Sequence, residues 1–218
     1  MIEKFRGVYL IDDKLATKNL VAGKKVYGER LVQEDEVEYR LWNPNRSKLA
    51  AAIFNGLREL PLDASSKVLY LGAASGTTAS HISDIASQGL IFCVDFSPRV
   101  FVKLLEVCEL RKNMIPILAD ASQPGQYAAL VERCDAIYQD IAQPNQAEIL
   151  WENAERYLKP LGSSIIAIKA RSIDVSKKPK EIFDAEIQKL KKFFKISDVV
   201  YLEPYEKDHV LVVGVAKE

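Results

Sequence analysis

Cysteine is scarce. The 218 residues contain only Cys93, Cys108 and Cys134, an odd-numbered set without the spacing of metal ligands. Each lies in or beside an apolar segment, so the expectation is buried free thiols, with no disulfide framework and no metal site. Charge of one sign is lacking too: 30 basic residues face 30 acidic ones, for a formal net charge of zero. That balance excludes a protein that grips nucleic acid unaided, so a nucleic-acid role must rest on local patches or on a partner. There is no long uninterrupted apolar run, and Met1-Ile2-Glu3-Lys4-Phe5-Arg6 has no stretch of signal-peptide type. A soluble, cytoplasmic chain with no membrane role is expected. Internal repeats and low-complexity segments are missing, and Lys177-Lys178-Pro179-Lys180 is only a brief basic run.

What the chain does have is apolar residues, 48% of the total, enough to bury a sizeable core as one large domain or one domain with a small appendage. From Lys67 onward short apolar runs alternate with helical patterns. Strands are predicted over 67–71, 90–95, 114–119, 136–140, 164–169, 196–202 and 210–215, and helices over 78–87, 98–111, 147–158 and 179–194, with a shorter one over 125–131. Such alternation predicts an α/β fold with a mostly parallel sheet covered on both faces. The short link Glu203-Pro204-Tyr205-Glu206-Lys207-Asp208 leaves no room for a crossover helix, so the last two strands should pair antiparallel. A seven-stranded, mostly parallel sheet with an antiparallel strand near the C-terminus is the ending of Rossmann-like S-adenosylmethionine-dependent methyltransferases.

Before Lys67 the texture changes. Residues 5–11, 20–21 and 25–32 are short apolar pieces separated by turn residues at Asp12-Asp13 and Ala22-Gly23, a hairpin-like pattern. A small β-rich N-terminal domain over 1–44 is expected to precede a larger domain over 45–218, entered by a helix over 45–60 between Pro44 and Pro61.

The stretch "LGAASGTT", residues 71–78, follows one predicted strand and opens a helix, so its amides and the positive end of the helix dipole are offered to a ligand. No Gly-Lys-Ser/Thr follows, which excludes a Walker loop. Ala74 and Thr77 or Thr78 stand where a dinucleotide fingerprint wants glycine. Gly72, Ala73 and Gly76 permit close backbone approach, while Ser75, Thr77 and Thr78 add hydroxyls. Taken alone the stretch reads equally as a tight turn with a Ser/Thr cap.

Asp95 closes the second strand about twenty residues after the loop, where such folds place an acid on ribose hydroxyls, and Phe96 beside it is suited to stack on a base. Asp120 follows the third strand, in reach of an adenine amino group. Each acid alone also reads as a helix cap or turn residue. Together they describe an adenosine pocket at the carboxyl ends of successive strands, and adenosine without a phosphate site points to S-adenosylmethionine. The fourth strand adds Asp140 to the same rim.

Several long stretches, "YRLWNPNRSKLAAAI", "VLYLGAASGTTASHISDI", "VDFSPR", "DAIYQDIAQPNQ" and "AIKARSID", resemble the fibrillarin family, in particular the archaeal fibrillarin-like RNA 2′-O-methyltransferases. The resemblance covers nearly the whole chain, without the glycine- and arginine-rich extension of eukaryotic members. It implies methyl transfer from S-adenosylmethionine to ribose 2′-hydroxyls of rRNA, and in some archaea tRNA. It also implies cofactor contacts at Thr77, Thr78, Asp95, Phe96, Asp120, Ala121, Asp140, Ile141, Ala142 and Gln143, and a catalytic Lys-Asp-Lys-His set at Lys48, Asp140, Lys169 and His209. The partners implied are a box C/D guide RNA, a Nop-family scaffold protein and a kink-turn-binding core protein, with Arg46, Lys48, Arg99, Arg171, Lys177 and Lys178 available to phosphates.

The set makes chemical sense. A ribose hydroxyl is a poor nucleophile at neutral pH, whereas a sulfonium methyl is already activated, so the protein must mainly orient the hydroxyl and help it lose its proton. Lys169 is the candidate to bind or deprotonate it, and His209 to orient Lys169 or accept a proton through it. Two other readings stay open: a small-molecule O-methyltransferase, often metal-assisted, and a scaffold subunit that keeps the fold without the activity.

Overall fold

The computed structural model describes residues 1–217, which build two sheets. The first contains β1 (Ile2–Phe5), β2 (Val8–Ile11), β3 (Lys14–Lys18), β4 (Leu31–Glu34) and β5 (Val37–Leu41), all antiparallel in the order β1-β2-β3-β5-β4. Asp12 and Asp13 both take left-handed backbone, φ 47° and 58°, the turn that matches the twist of a tight hairpin. The apolar piece over 5–11 is not continuous strand: Phe5 ends β1, Gly7 at φ 74° reverses the chain, and β2 takes up the remainder. Residues 20–21 and most of 25–32 lie outside strands. Their backbone is tied by carboxylates instead: Glu38 accepts from Gly23 N at 2.8 Å, and Glu29 accepts from Tyr27 N at 2.8 Å.

The helix expected over 45–60 is a 3₁₀ turn, Pro44–Arg46, followed by α1 (Lys48–Phe54). Ser47 caps α1 by accepting from Ala50 N. At the other end Asn55 donates to the carbonyls of Tyr201 and Glu203, Gly56 turns left-handed, and Arg58 N donates to Asp198, so distant groups take the chain out of the helix. The expected division at 44/45 falls inside the 3₁₀ turn.

The larger sheet comprises β6 (Lys67–Leu71), β7 (Leu90–Asp95), β8 (Met114–Leu118), β9 (Cys134–Gln139), β10 (Leu158–Lys169), β11 (Phe194–Tyr201) and β12 (His209–Ala216), in the order β11-β12-β10-β9-β6-β7-β8. β12 is antiparallel to both its neighbours and the contiguous run from β10 to β8 is parallel. The seven strands thus follow the sequence reading, with β10 longer at its start than expected. α2 (Thr77–Ile85) and α3 (Pro98–Leu110) pack with α1 on one face; α4 (Gln146–Tyr157) and α6 (Pro179–Leu190) pack on the other, while α5 (Ala170–Ile173) is a single turn. Alternate residues of β6 show why: Val68 and Tyr70 enter one core, Leu69 and Leu71 the other. The helix expected over 125–131 is only the 3₁₀ turn Pro124–Tyr127. Cys93, Cys108 and Cys134 are buried and unpaired. Among the described residues no helix is long and apolar enough to cross a membrane.

Val8, Leu15 and Trp42 of the first sheet's segment join the core beneath α1 to α3. A buried charged network completes that junction. Arg40, fully buried, pairs with Glu29 at 2.6 Å and with Asp84 of α2 at 2.8 Å; Arg111 pairs with the other oxygen of Asp84 at 2.6 Å. His81, also fully buried, bonds Thr17 through Nδ1 at 2.7 Å and Tyr27 through Nε2 at 2.8 Å. Burial, seconded by the two arginines, holds its imidazole well below its ordinary pKa, so it is neutral.

Candidate active site at the carboxyl ends of the strands

The chain runs β6, β7, β8 outward and then returns to place β9 on the other side of β6. The carboxyl ends of β6 and β9 therefore border the crevice where open sheets bind ligands. The loop after β6 fits this place through three left-handed residues: Gly72 at φ 82°, Ala74 at φ 48° and Gly76 at φ 84°. Gly72 lies so close to the Asp140 peptide that a Cβ there would overlap the Asp140 carbonyl oxygen. Gly72 N and Ala73 N both donate to Val94 O, and Asp140 N donates to Leu71 O, which fixes three strand ends against one another. Gly76 caps α2 with no side-chain hydrogen bond, so the Ser/Thr-cap reading of the loop does not hold and the first amides of α2 carry no side-chain acceptor.

Asp95 is buried and holds the loop: Oδ2 accepts from Ala74 N at 2.8 Å and Oδ1 from Ser97 N at 2.9 Å. Phe96 beside it is 67% exposed, an uncovered aromatic ring at the mouth of a cavity of about 210 Å³. Gly72, Asp95, Phe96, Ala121, Asp140, Ile141, Ala142, Gln143 and Lys169 line that cavity, along with Ala74, Val94, Ser97, Val100 and Ala119, which the sequence reading did not single out for contact. Asp120 stands behind the wall, accepting from Gln143 Nε2 at 2.9 Å and from Ser122 N and Oγ. Burial opposes its charge, but these hydrogen bonds prevail and hold its carboxyl below the ordinary range. Ala73, Gly76, Thr77 and Thr78 are not in the wall; Thr78 is buried and donates to Ser47 Oγ at 2.9 Å, tying the loop to the helix that carries Lys48.

The structure brings together Lys48, Asp140 and Lys169 from three separate segments. Lys48 Nζ lies 3.1 Å from Asp140 Oδ2, and Lys169 Nζ lies 2.8 Å from Oδ1 in an ion pair whose angles fall short of a hydrogen bond. The three side chains are 15–19% exposed, enough to meet a substrate and not enough to be dissipated by solvent. Burial opposes the Asp140 charge, but the two ammonium groups outweigh it and hold the carboxyl below its ordinary range. One carboxylate between two ammonium groups leaves local positive charge. His209 is the register partner of Lys169 across β10 and β12. Its Nδ1 bonds the Lys207 carbonyl at 2.6 Å, so Nδ1 carries the proton and Nε2 keeps its lone pair. Burial lowers its pKa, helped by Lys48, against the Lys207 carbonyl.

Several of the basic residues proposed for phosphates are engaged within the protein. Arg46 stands 6.0 Å over the Tyr27 ring, Arg171 pairs with Asp208 at 2.9 Å, Lys177 with Asp174 at 3.6 Å, and Arg99 and Lys178 are exposed. A larger cavity of about 500 Å³ lies against the first sheet, lined by Tyr27, Trp42, Arg46 and Phe54, away from the acid and lysine cluster. Among the described residues no group of three or more His, Cys, Asp or Glu is placed to hold a metal ion. Beyond those five lining residues, Ser47 and Gln146, which hold parts of the site from outside its wall, also escaped the sequence reading. Both lie within stretches quoted for their resemblance, yet their partners are a hydroxyl and a peptide group far along the chain.

A family model described as fibrillarin matches residues 1–218. A Methanopyrus kandleri protein named fibrillarin-like rRNA/tRNA 2′-O-methyltransferase is 56% identical over 219 residues, covering 97% of this chain and 94% of the relative. The crystal structure of Aeropyrum pernix fibrillarin with natively bound S-adenosyl-L-methionine superposes with a TM-score of 0.91 at 48% identity, covering 98% of this chain and 96% of that one. A fibrillarin from a fibrillarin/Nop5p complex superposes at 0.93 with 47% identity, covering 99% of this chain and 100% of that one. At 14% identity and a TM-score of 0.55, a SAM-dependent methyltransferase from Aquifex aeolicus shares the fold of 72% of this chain, matching 85% of its own.

Proposed function

The chain belongs to the fibrillarin family, and on that premise we propose that it methylates ribose 2′-hydroxyls of rRNA and tRNA from S-adenosylmethionine, as the guide-directed catalytic subunit of a box C/D ribonucleoprotein. The observation that carries the chemistry is the Lys48–Asp140–Lys169 bridge at the wall of the pocket.

The donor set suits this cofactor. Asp95 offers carboxylate oxygens to ribose hydroxyls, Gln143 of the wall, held from behind by Asp120, is offered to the amino edge of adenine, and Phe96 with Ala121 and Ile141 supplies apolar contact for the ring. The uncapped amides at Thr77 and Thr78 suit the methionine carboxylate, and Gly72 with Ala73 lets the chain pass close by. When bound, S-adenosylmethionine supplies a methyl group already activated by its sulfonium charge.

The protein's own part is to hold the hydroxyl and manage its proton. Asp140 fixes both ammonium groups, and their surplus positive charge favours the oxygen as it loses its proton. Lys169 holds the hydroxyl in line. His209, its Nδ1 proton committed to Lys207, offers Nε2 as the terminal acceptor. The Nop-family scaffold protein and the kink-turn-binding core protein carry the guide RNA, and base pairing chooses the nucleotide. Reconstitution with these partners, guide RNA, target RNA and labelled cofactor, followed by mapping of the modified residue, tests the reading; 2′-O-methyl at the guided ribose is expected. Methylation that requires magnesium and a small-molecule acceptor, with RNA inert, would overturn it.

A further inference from the structure

Lys169 has a second set of restraints that acts on its backbone. In β10 the pairing with β9 ends at Ile166 opposite Gln139, because β9 stops there and its chain turns away at Asp140. Lys169, three residues further, therefore has no strand neighbour on that side. On the other side it is paired with His209 of β12, and Ala170 N donates to Asp208 O at 3.2 Å. A lysine at a strand end held along one edge alone would pivot, and its ammonium group would sweep across the pocket.

Gln146 fills the missing edge. Its carboxamide lies beside the Lys169 peptide groups: Oε1 accepts from Lys169 N at 3.0 Å, and Nε2 donates to Lys169 O at 3.4 Å. One side chain thus supplies the acceptor and donor that a strand neighbour would have supplied. Gln146 is itself fully buried at the first turn of α4, and its own carbonyl accepts from Gln139 Nε2 at 2.7 Å. Gln139, also fully buried, directly precedes Asp140. The chain of contacts closes on itself, from Asp140 through the Gln139 and Gln146 side chains to the Lys169 backbone and back through the Lys169 to Asp140 ion pair.

We propose that Gln146 is a positioning residue for methyl transfer, standing in for an absent strand so that Lys169 is held in one place against Asp140. The proposal rests on the catalytic reading of Lys169 and goes beyond it by assigning what fixes that lysine.

The test is single-turnover methylation of RNA by the assembled enzyme at saturating donor, with donor affinity measured separately by calorimetry. Gln146→Leu, Gln146→Glu, Lys169→Ala and Asn113→Ala are compared. Asn113 is a buried amide at the amino ends of the strands, bonded to Ser83 O and Ala86 O, and controls for loss of a buried carboxamide as such. Gln146→Leu removes both contacts with Lys169 and should slow transfer roughly tenfold to a hundredfold, the usual cost of misplacing a reacting group by about an ångström, with donor affinity unchanged. Gln146→Glu keeps the acceptor and loses the donor, so it should fall between; if the leucine variant does not fold, this near-isosteric one decides. Asn113→Ala should lower the melting temperature and leave the rate alone. Wild-type rates in both Gln146 variants while Lys169→Ala is impaired would overturn the positioning role alone. A normal rate in Lys169→Ala would overturn the catalytic reading and the proposal with it.

Discussion

A carboxylate that bridges two ammonium groups can be probed one partner at a time. Lys169→Ala should lower the single-turnover rate by about a hundredfold or more, the usual size of a general acid-base contribution, while donor affinity barely moves. Asp95→Ala should do the reverse, weakening donor binding by about 1.5–3 kcal/mol for a lost charge-assisted hydrogen bond. The rate should return at saturating donor, to the extent that Ala74 N and Ser97 N, which Asp95 also holds, keep the loop in place. Calorimetry beside single-turnover kinetics separates the two; a Lys169→Ala enzyme that lost only affinity would reverse the assignment. His209 allows a second check, with a sign. Burial lowers its pKa below the ordinary 6.5, so Nε2 keeps its lone pair through neutral pH and picks up a proton only in more acid solution. The pH–rate profile should be flat at neutral pH with an acid limb below 6.5, and His209→Gln should abolish that limb along with part of the rate. An unchanged limb in the variant would remove His209 from the proton path.

Elements add constraints that no single residue carries. Arg40 reaches from β5 to Asp84 of α2 and is fully buried, so Arg40→Met leaves the buried Glu29 carboxylate without its ion-pair partner and takes from Asp84 one of its two arginines. It should cost about 3–5 kcal/mol, read as a fall in denaturant midpoint. His81 of the same helix is neutral when folded and free to protonate when unfolded. The unfolded chain then binds the extra proton below pH 6.5, and stability should decline as pH falls through that value, well before carboxylates titrate. This junction was invisible in the sequence, because Arg40, His81 and Asp84 look like surface residues and only their burial against one another gives them meaning. The strands of the larger sheet were legible for the opposite reason. Runs such as 68–71 and 91–94 are apolar without interruption, the signature of parallel strands covered on both faces. Asp95, Asp140 and Lys169 could be read as polar residues closing such runs. The length of α1 and the course of residues 19–30 could not, since Asn55 answers to Tyr201 and Glu203, and Gly23 to Glu38. Gln146 escaped likewise: its contact lies 23 residues away and is with a backbone, which leaves no trace in periodicity.

The whole molecule carries 30 basic and 30 acidic residues, and the fold pairs many of them locally. Lys67 with Glu132, Lys159 with Asp135, Arg58 with Asp198, Arg171 with Asp208 and Lys189 with Glu148 are ion pairs with at least one exposed partner. Each contributes little to stability. Together, however, they neutralise locally much of the positive charge that an RNA backbone could meet. Affinity for RNA grows with the number of phosphates neutralised, and the same number sets how steeply binding weakens with salt. A chain whose charges balance and pair in this way should bind RNA weakly, with a shallow salt dependence, even though its pocket binds the methyl donor. The Lys48 and Lys169 cluster is too confined to compensate, because Asp140 already engages both. On the proposed function, placing a particular ribose at that cluster is then work for a partner that carries the guide. Titrations of RNA against the isolated chain over a range of salt should give a small slope, and a steeper one after the Nop-family protein and guide RNA are added. Site-specific methylation should appear only in the second case. Tight, steeply salt-dependent RNA binding by the isolated chain, together with guided methylation in the absence of the scaffold protein, would show that charge balance over the whole surface does not govern how this enzyme meets its substrate.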